Sequence, residues 1–525
     1  MLIKPLNLFS GGFGFDFSKG PDKVSTFRRI LPQFLSCLSQ YINGCNMGLV
    51  LAISSIVVPS IIGRSTELNP DETLHMTPEK ASWLASLMFI IQPIGCILSP
   101  FFADSLGRKW ATFLTSFVPA FAWILLPNVQ SEFMIYVGFL SLGIWNGLTS
   151  SLSIYLNEIC EASIRGVMCA MAGIAATTGI FMVFLLGSFL SWRQVSYICA
   201  IVPILNILLT MLIPESPIFL VSNHRTDQAE KSLQVLRGWV SSKTITPELD
   251  QLKRASELSA SCVNCEKSGQ KCNHPPPTLF DKLKDITRKR TLKPFSIISI
   301  LFLLMQFSGM FAMRPYIVPI LNAHGIAFSA NFITVMLGVL GILANICIAL
   351  TVRTIGKRRI YLYSMVGNFV SCFGLSIYGW VFFPRGWTSV GTNDSDLESI
   401  RESVGVYNYF ALAMFLIMQF CISIGVSSIP YFLQGEIFPF KSRTFCCSLT
   451  GMENQLFAFV ATKTFYDFER WLSLPGVIGF YGVIAVLGFI LMIFMIPETE
   501  NRTLEEIELH FSDNKRSIFD INIKK

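Results

Sequence analysis

Long apolar stretches separated by short polar connections dominate the pattern of this chain. Twelve of these stretches approach or exceed the roughly 20 mostly apolar residues that a helix needs to cross a bilayer. Their approximate bounds are 34–62, 81–103, 110–127, 133–156, 166–190, 194–213, 294–321, 327–352, 359–383, 406–434, 444–467 and 473–496. The pattern therefore predicts an all-α membrane protein with twelve transmembrane helices.

One long polar segment separates the first six stretches from the last six. The chain therefore divides into five parts. They are an N-terminal segment (1–33), a six-helix bundle (34–213), a linker with short helices (214–293), a second six-helix bundle (294–496) and a C-terminal segment (497–525). An even number of crossings places both termini on the same side of the membrane.

Composition agrees with a polytopic membrane protein. Of the 525 residues, 52% are hydrophobic and 14% are charged, whereas soluble domains carry roughly 25% charged residues. So few charged groups cannot cover several separate soluble cores. The net charge of +7 does not indicate a nucleic-acid partner, because the basic residues concentrate in connections on one side of the apolar stretches.

The distribution of basic residues predicts the orientation. Arg and Lys follow the second, fourth, eighth and tenth stretches and fill the linker, whereas 127–132 and 322–328 contain none. By the positive-inside rule, both termini and the linker are cytoplasmic, in a protein that we expect in the plasma membrane. Asn393 then begins an outside Asn-Asp-Ser sequence and is a candidate for glycosylation.

Three short motifs occur twice, in the same order and at equivalent places in the two halves. Gly107-Arg108-Lys109 returns as Gly356-Lys357-Arg358, and Glu158 with Arg165 returns as Glu436 with Arg443. The third pair is Pro214-Glu215-Ser216 and Pro497-Glu498-Thr499. This repetition indicates a duplicated six-helix unit. Transporters built in this way bind their substrate between the halves, near the middle of the bilayer.

The repeated motifs supply charges at the cytoplasmic ends of helices. We interpret these charges as a gating set that holds the two halves together at their inner ends and releases them during transport. The set comprises Asp104, Arg108, Lys109, Glu158, Arg165, Glu215, Glu436, Arg443 and Glu498. A second interpretation is that they only fix the orientation in the membrane, although orientation does not require Glu at a constant spacing from Arg.

These motifs, taken in order, resemble those of the sugar porters of the major facilitator superfamily, nearest to insect facilitated trehalose and glucose carriers. The resemblance also rests on Pro217, on 306–309 and on 502–507, and it covers roughly residues 30–510. It implies two parallel-repeated six-helix bundles and facilitated diffusion of a small polar solute by alternating access. It implies neither a catalytic residue nor a cofactor.

The resemblance also implies a sugar site, from which this chain departs at several positions. Gln306 matches a sugar-contacting Gln, whereas Gly173 and Gly341 stand where the family has Gln and Asn. Asn46 replaces a proton-accepting Asp, which argues against proton coupling. Tyr431 replaces a Trp, and Asn454 is a possible helper. We expect substrate contacts from Gln306, Asn454, Tyr431, Arg314 and Asn46.

The departures leave two interpretations open. In the first, other polar side chains replace the lost groups, namely Asn43, Asn46, Gln92, Asn146 and Gln434. In the second, the substrate has changed. Arg314 and Glu453 lie within apolar stretches, where ionisable groups indicate function by default. Arg314 would then receive an organic anion or pair with Glu453, unless it only extends to the outer surface.

Two further hypotheses complete the set. A transporter-like sensor would bind sugar without moving it, with the linker contacting a partner protein. Cys262, Cys265, Cys272 and His274 are zinc-ligand types, but their spacing is cramped, and we expect no metal. The partners that we expect are a small-molecule solute and the lipid bilayer, with no nucleic acid. A monomer suffices for this function, and the sequence leaves the oligomeric state open.

Overall fold

A computed structural model describes residues 25–63, 72–152, 154–259, 289–389, 394–438 and 443–500, together with 507 and 510–511. Within these residues every regular element is helical. Asn393 and the group formed by Cys262, Cys265, Cys272 and His274 lie outside the described residues.

The described part of the first half contains eight α-helices. They are α1 (Thr26–Ile61), α2 (Pro78–Leu106), α3 (Arg108–Thr115), α4 (Phe117–Leu125), α5 (Glu132–Leu152), α6 (Ile154–Ile159), α7 (Ala162–Gly187) and α8 (Trp192–Leu212). Three shorter helices follow, namely α9 (Pro217–Ser222), α10 (Thr226–Leu236) and α11 (Ser242–Ser259).

The second half contains nine described helices. They are α12 (Lys289–Gln306), α13 (Met310–Met313), α14 (Ile317–Ala323), α15 (Ala330–Ile355), α16 (Lys357–Phe382), α17 (Asp394–Val404), α18 (Asn408–Cys421), α19 (Ser428–Ile437) and α20 (Arg443–Met495). A short π-helical segment, Ile422–Val426, joins α18 to α19.

Ten helical segments of the described chain are long and apolar enough to cross a membrane, and a pair bent by 47° adds an eleventh crossing. The helix α20 has 53 residues, which corresponds to about 80 Å and exceeds a hydrocarbon core of about 30 Å. Ser473 has a non-helical backbone inside it, with φ 64° and ψ 166°. This break supports two crossings in α20, and the total of twelve stays a prediction.

The short helices α9 to α11 identify one end of the bundle, which we call the linker end; the opposite end is the far end. The linker end also holds the start of α1, because Arg28 donates to the Trp239 carbonyl at 3.4 Å. Arg237 anchors this region through a 2.6 Å ion pair with Glu248 and a 3.2 Å hydrogen bond to the Ile159 carbonyl. The linker helices are therefore attached to the first half.

Close helix packing inside the first half depends on glycine. A Cβ on Gly95 of α2 would lie 2.3 Å from the Ile144 carbonyl oxygen, and one on Gly147 of α5 would lie 2.2 Å from the Gln92 carbonyl oxygen. No side chain fits at those distances. The two helices thus approach each other closely enough to move as one body.

The apolar core is distributed unequally between the two ends. One large cluster mixes both halves, with Ile53 and Leu84 from the first and Tyr316, Ile333 and Phe465 from the second. At the linker end, by contrast, each half has its own cluster of buried residues. The halves are therefore joined by a common core toward the far end and have separate cores at the linker end.

Candidate functional site

A cavity lies between the two halves. Its apolar lining comes from α1, α2 and the break between α12 and α14, and its polar lining comes from both halves. The polar lining residues are Ser54, Asn146, Gln306, Arg314, Tyr431, Asn454, Gln455 and Thr462. The structure thus brings together four of the five residues that the sequence predicts as substrate contacts.

Three of these residues form a chain of hydrogen bonds. The Gln306 amide donates to Asn454 Oδ1 at 2.7 Å, and Asn454 Nδ2 donates to the Tyr431 hydroxyl at 3.0 Å. The Tyr431 ring also packs edge-on against Phe302, with centroids 5.2 Å apart. Because the chain connects α12, α20 and α19, it holds three helices in one register and presents amide and hydroxyl groups to the cavity.

A break in the helical backbone positions the next part of the site. The helix α12 ends at Gln306, and Gly309 has φ 100°, a value that favours glycine. The chain bends by 47° here. Discontinuous helices of this kind line substrate sites in transporters, where the cavity hydrates backbone groups that lipid would leave unsatisfied.

Arg314 follows the break and lines the cavity. Its guanidinium lies 4.7 Å from the centroid of the Phe311 ring, within the range of a cation–π interaction. The suggested pairing with Glu453 is wrong, because Glu453 accepts a hydrogen bond from Ser299 of α12 instead. Within the described chain, no carboxylate forms an ion pair with Arg314.

Asn46 has a different environment from the other four residues. It is 1% exposed, and its Oδ1 accepts a 2.9 Å hydrogen bond from Trp123 Nε1 inside the first half. It does not line the cavity in this conformation, so its position favours a structural role over substrate contact.

Most of the proposed replacement groups also lie elsewhere. Asn43 accepts a hydrogen bond from Asn206 inside the first half, and Gln434 donates to the Cys447 carbonyl and to Thr450. Gln92 is buried and absent from the cavity lining. Of the five candidates, only Asn146 lines the cavity.

Three polar lining residues, Ser54, Gln455 and Thr462, are not among those that the sequence predicts. A periodic signal was present, since 455 and 462 are seven positions apart, as expected for one helix face after two turns. The lining positions 47, 51 and 54 of α1 have the same helical spacing. Which face points to the cavity depends on tertiary packing, which this periodicity does not determine.

The charged motifs form one cluster in each half, both at the linker end. In the first half, Arg108 Nη2 lies 2.9 Å from Glu158, which also accepts from the Ser216 hydroxyl. Glu215 accepts from the backbone N–H groups of Arg108 and Lys109 at 3.0 and 3.1 Å. Burial raises the pKa of the Glu215 carboxyl, while hydrogen bonds from backbone N–H groups act in the opposite direction.

The second half repeats this arrangement. Lys357 Nζ lies 2.7 Å from Glu436, which accepts from the Thr499 hydroxyl at 2.7 Å. Glu498 accepts from the backbone N–H groups of Lys357 and Arg358 at 3.2 and 3.3 Å. A second acid, Glu500, lies 2.9 Å from Lys357. The sequence repeat is therefore also a repeat of hydrogen-bond geometry.

The ion pairs differ from those suggested by the spacing of Glu and Arg. Glu158 pairs with Arg108 and not with Arg165, and Glu436 pairs with Lys357 and not with Arg443. Each of the two remaining arginines instead donates to a carbonyl five residues before it, namely Cys160 for Arg165 and Phe438 for Arg443. Asp104 lies 3.7 Å from Arg108 with a mostly exposed side chain. The described ion pairs of both clusters connect residues of the same half. In this conformation they therefore do not link the two halves, contrary to what the sequence suggests.

A family model described as "Sugar (and other) transporter" matches residues 36–511. The chain belongs to this family. Among its relatives in the sugar transporter family, the facilitated trehalose transporter Tret1 of Bombyx mori is 26% identical over 511 residues, covering 97% of this chain and 93% of the relative. Tret1 of Polypedilum vanderplanki is 29% identical over 481 residues, covering 91% and 88%.

Solved structures of a xylose transporter have the same fold. The major facilitator superfamily proton:xylose symporter XylE, bound to 6-bromo-6-deoxy-D-glucose, superposes with a TM-score of 0.67 at 18% identity. The alignment covers 92% of this chain and 99% of that structure. The chain is therefore a multi-pass membrane protein with the all-α major facilitator fold.

Proposed function

We propose that this protein moves a sugar, trehalose or a hexose, across the membrane by facilitated diffusion. The observation that carries the proposal is the hydrogen-bonded chain of Gln306, Asn454 and Tyr431 in a cavity between the halves. Sugars are recognised through hydrogen bonds to their hydroxyl groups. Side-chain amides and the tyrosine hydroxyl supply donors and acceptors for these bonds. The names of the insect relatives support trehalose as the first sugar to test.

Transport proceeds by rocking of two rigid halves. The core shared by both halves closes the far end, and the separate cores leave the linker end free to open. The charged clusters keep each six-helix bundle rigid, because each ties neighbouring helix ends within one half. Because the clusters fix the positions of these helix ends, they also affect the equilibrium between the inward-facing and outward-facing conformations.

The orientation is part of the proposal. The linker end, with both termini, faces the cytoplasm of a cell whose plasma membrane holds the protein, and Asn393 carries a glycan outside. In this orientation the far end, where the two halves share a core, lies on the outer side. One chain suffices, and neither a cofactor nor a catalytic step is required.

Proton coupling has no group at the position of Asn46. Its amide does not titrate, and its oxygen already accepts a hydrogen bond from Trp123. We therefore expect the sugar gradient alone to drive uptake.

The deciding experiment measures uptake of labelled trehalose and glucose by purified protein in liposomes, with and without an imposed proton gradient. Saturable uptake of either sugar, unchanged by the gradient, is the expected result. Sugar binding without uptake would replace the proposal with the sensor hypothesis. Uptake that follows the gradient would contradict facilitated diffusion.

The site is tested by Asn454→Ala, which removes the middle of the hydrogen-bonded chain. A lost buried partner costs about 1–3 kcal/mol, so kcat/KM is expected to fall roughly 5- to 150-fold. Gln434→Ala is the matched control, since Gln434 bonds to the same helix α20 but away from the cavity. Equal losses in both variants would attribute the effect to helix packing and not to substrate contact.

A further inference from the structure

Among the described residues that line the cavity, one side chain is cationic and none is anionic. Arg314 is the charged member of a described lining that otherwise consists of amides, hydroxyls, aromatic rings and aliphatic groups. A charge withdrawn from water is costly unless it is paired. A neutral sugar has no negative charge to pair with this cation. Binding of sugar hydroxyl groups therefore does not by itself explain the presence of Arg314.

The acidic residues on the neighbouring elements have other partners. Glu453 of α20 accepts from Ser299. Glu469, nearer the far end of the same helix, accepts from the Ser389 backbone N–H at 2.5 Å, and Asp467 lies 3.9 Å from Lys463. Within the described part of the chain, the protein therefore supplies no carboxylate to Arg314.

The Phe311 ring fixes the guanidinium without neutralising it. The distance of 4.7 Å to the ring centroid allows a cation–π interaction over one face of the guanidinium plane. A guanidinium donates its N–H groups in its own plane, so an aromatic ring over its face does not occupy these donors along its edge. A carboxylate fits this edge, because two parallel N–H···O bonds match its geometry.

We propose that the cavity binds an acidic sugar, a monosaccharide carrying one carboxylate, with the carboxylate on Arg314 and the hydroxyls on the Gln306–Asn454–Tyr431 chain. This inference rests on the proposed sugar transport and names a substrate class for the same site. The two parts of the cavity then bind the two chemical parts of one molecule. Glucose remains a weaker substrate that uses the hydroxyl-binding part alone.

The test compares D-glucuronate with D-glucose, which differ by a carboxylate in place of a hydroxymethyl group. In liposomes containing the purified protein, glucuronate is expected to be taken up and to compete with labelled glucose. The quantity of interest is the ratio of kcat/KM for glucuronate to that for glucose. In Arg314→Gln this ratio is expected to fall about ten-fold or more, the usual contribution of a charge-assisted hydrogen bond.

Two variants make the result specific. Arg314→Lys keeps the charge but loses the paired N–H groups and is expected to give an intermediate ratio. Arg385→Gln removes a cation from an exposed position outside this cavity and should leave both rates unchanged. Melting temperatures of all variants confirm that they are folded.

The outcomes separate the two proposals. Glucose uptake without any binding of glucuronate overturns the acidic-sugar inference and leaves sugar transport standing. An equal loss of both substrates in Arg314→Gln, with an unchanged ratio, also overturns it and assigns Arg314 to the structure of the bent helix. Failure of both glucose and trehalose uptake by the folded wild-type protein is a failure of the proposed function itself.

Discussion

Two half-buried glutamates cap the helices that follow the glycines of the repeated motif. Glu215 lies at the N-terminus of α3 and Glu498 at that of α16, where each accepts backbone N–H groups. A carboxylate at a helix N-terminus is favoured by the helix dipole and by the unsatisfied N–H donors. Both glycines have φ 91°, so the turn and the cap depend on the same residue type.

Adding a methyl group at these glycines should therefore displace the caps. A Cβ on Gly107 would lie 2.5 Å from Glu215 Oε2, and one on Gly356 would lie 2.6 Å from Glu498 Oε2. The backbone conformation at both positions also favours glycine. We therefore expect Gly107→Ala and Gly356→Ala each to lower the free energy of unfolding by roughly 1–3 kcal/mol and to lower the melting temperature. Gly435→Ala is the control, since no atom of the described residues lies within 4 Å of a Cβ there. Equal melting temperatures in all three variants would contradict the capping role.

At the scale of the element, most helices could be predicted from hydropathy, but the breaks within them could not. The apolar stretch 294–321 predicts one helix, whereas the chain breaks after Gln306 and bends at Gly309. The stretch 406–434 likewise contains a π-helical segment, Ile422–Val426. Hydropathy reports how long a segment is apolar, while a break depends on neighbouring helices that satisfy the freed backbone groups.

The candidate site could also be predicted only in part from the sequence. Gln306, Tyr431, Asn454 and Arg314 could be placed in one cavity from the resemblance and from the cost of burying polar groups. Asn46 could not be excluded, because its partner Trp123 is 77 residues away in sequence. The cation paired with each repeated glutamate was also missed, since a constant spacing along the chain does not establish contact in space.

The helices α2 and α20 connect the halves through a contact near the far end. Lys463 of α20 lies 5.0 Å from the centroid of the Trp83 ring, and its Nζ is 3.4 Å from the Ser82 hydroxyl of α2. The Ser82 hydroxyl also donates to the Lys463 carbonyl at 3.2 Å. This contact stabilises the conformation in which the far end is closed.

Lys463→Met should weaken that closure. Loss of a cation–π contact of about 0.5–2 kcal/mol is expected to increase hydrogen–deuterium exchange in the far-end parts of α2 and α20 by roughly 2- to 30-fold. Lys80→Met is the matched control, because Lys80 pairs with Glu132 at 2.8 Å within the first half. Exchange like that of the wild type in both variants would show that this contact does not stabilise the closed far end.

The whole molecule consists of two bundles that share a core toward one end only. Close glycine packing and a charged cluster in each half resist relative motion of helices within a bundle, whereas the separate clusters at the linker end allow the bundles to part. Relative motion should therefore occur between the halves and not within them. This expectation distinguishes rocking of rigid bundles from a rearrangement of single helices.

Cross-linking tests the distinction directly. The Ser188 hydroxyl donates to the Asn331 carbonyl at 3.3 Å, joining the end of α7 to the start of α15 across the halves. In Ser188→Cys/Asn331→Cys, a short bifunctional reagent that joins the two thiols through disulfide bonds should abolish most of the sugar flux, and a reductant that cleaves these disulfides should restore it. The unmutated protein is the control, because its Cys37 and Cys160 sulfur atoms are 3.5 Å apart within the first half. A bond there leaves the bundle rigid, so treated wild type should transport normally. Full flux in the cross-linked double variant would rule out rocking of the halves as the transport step.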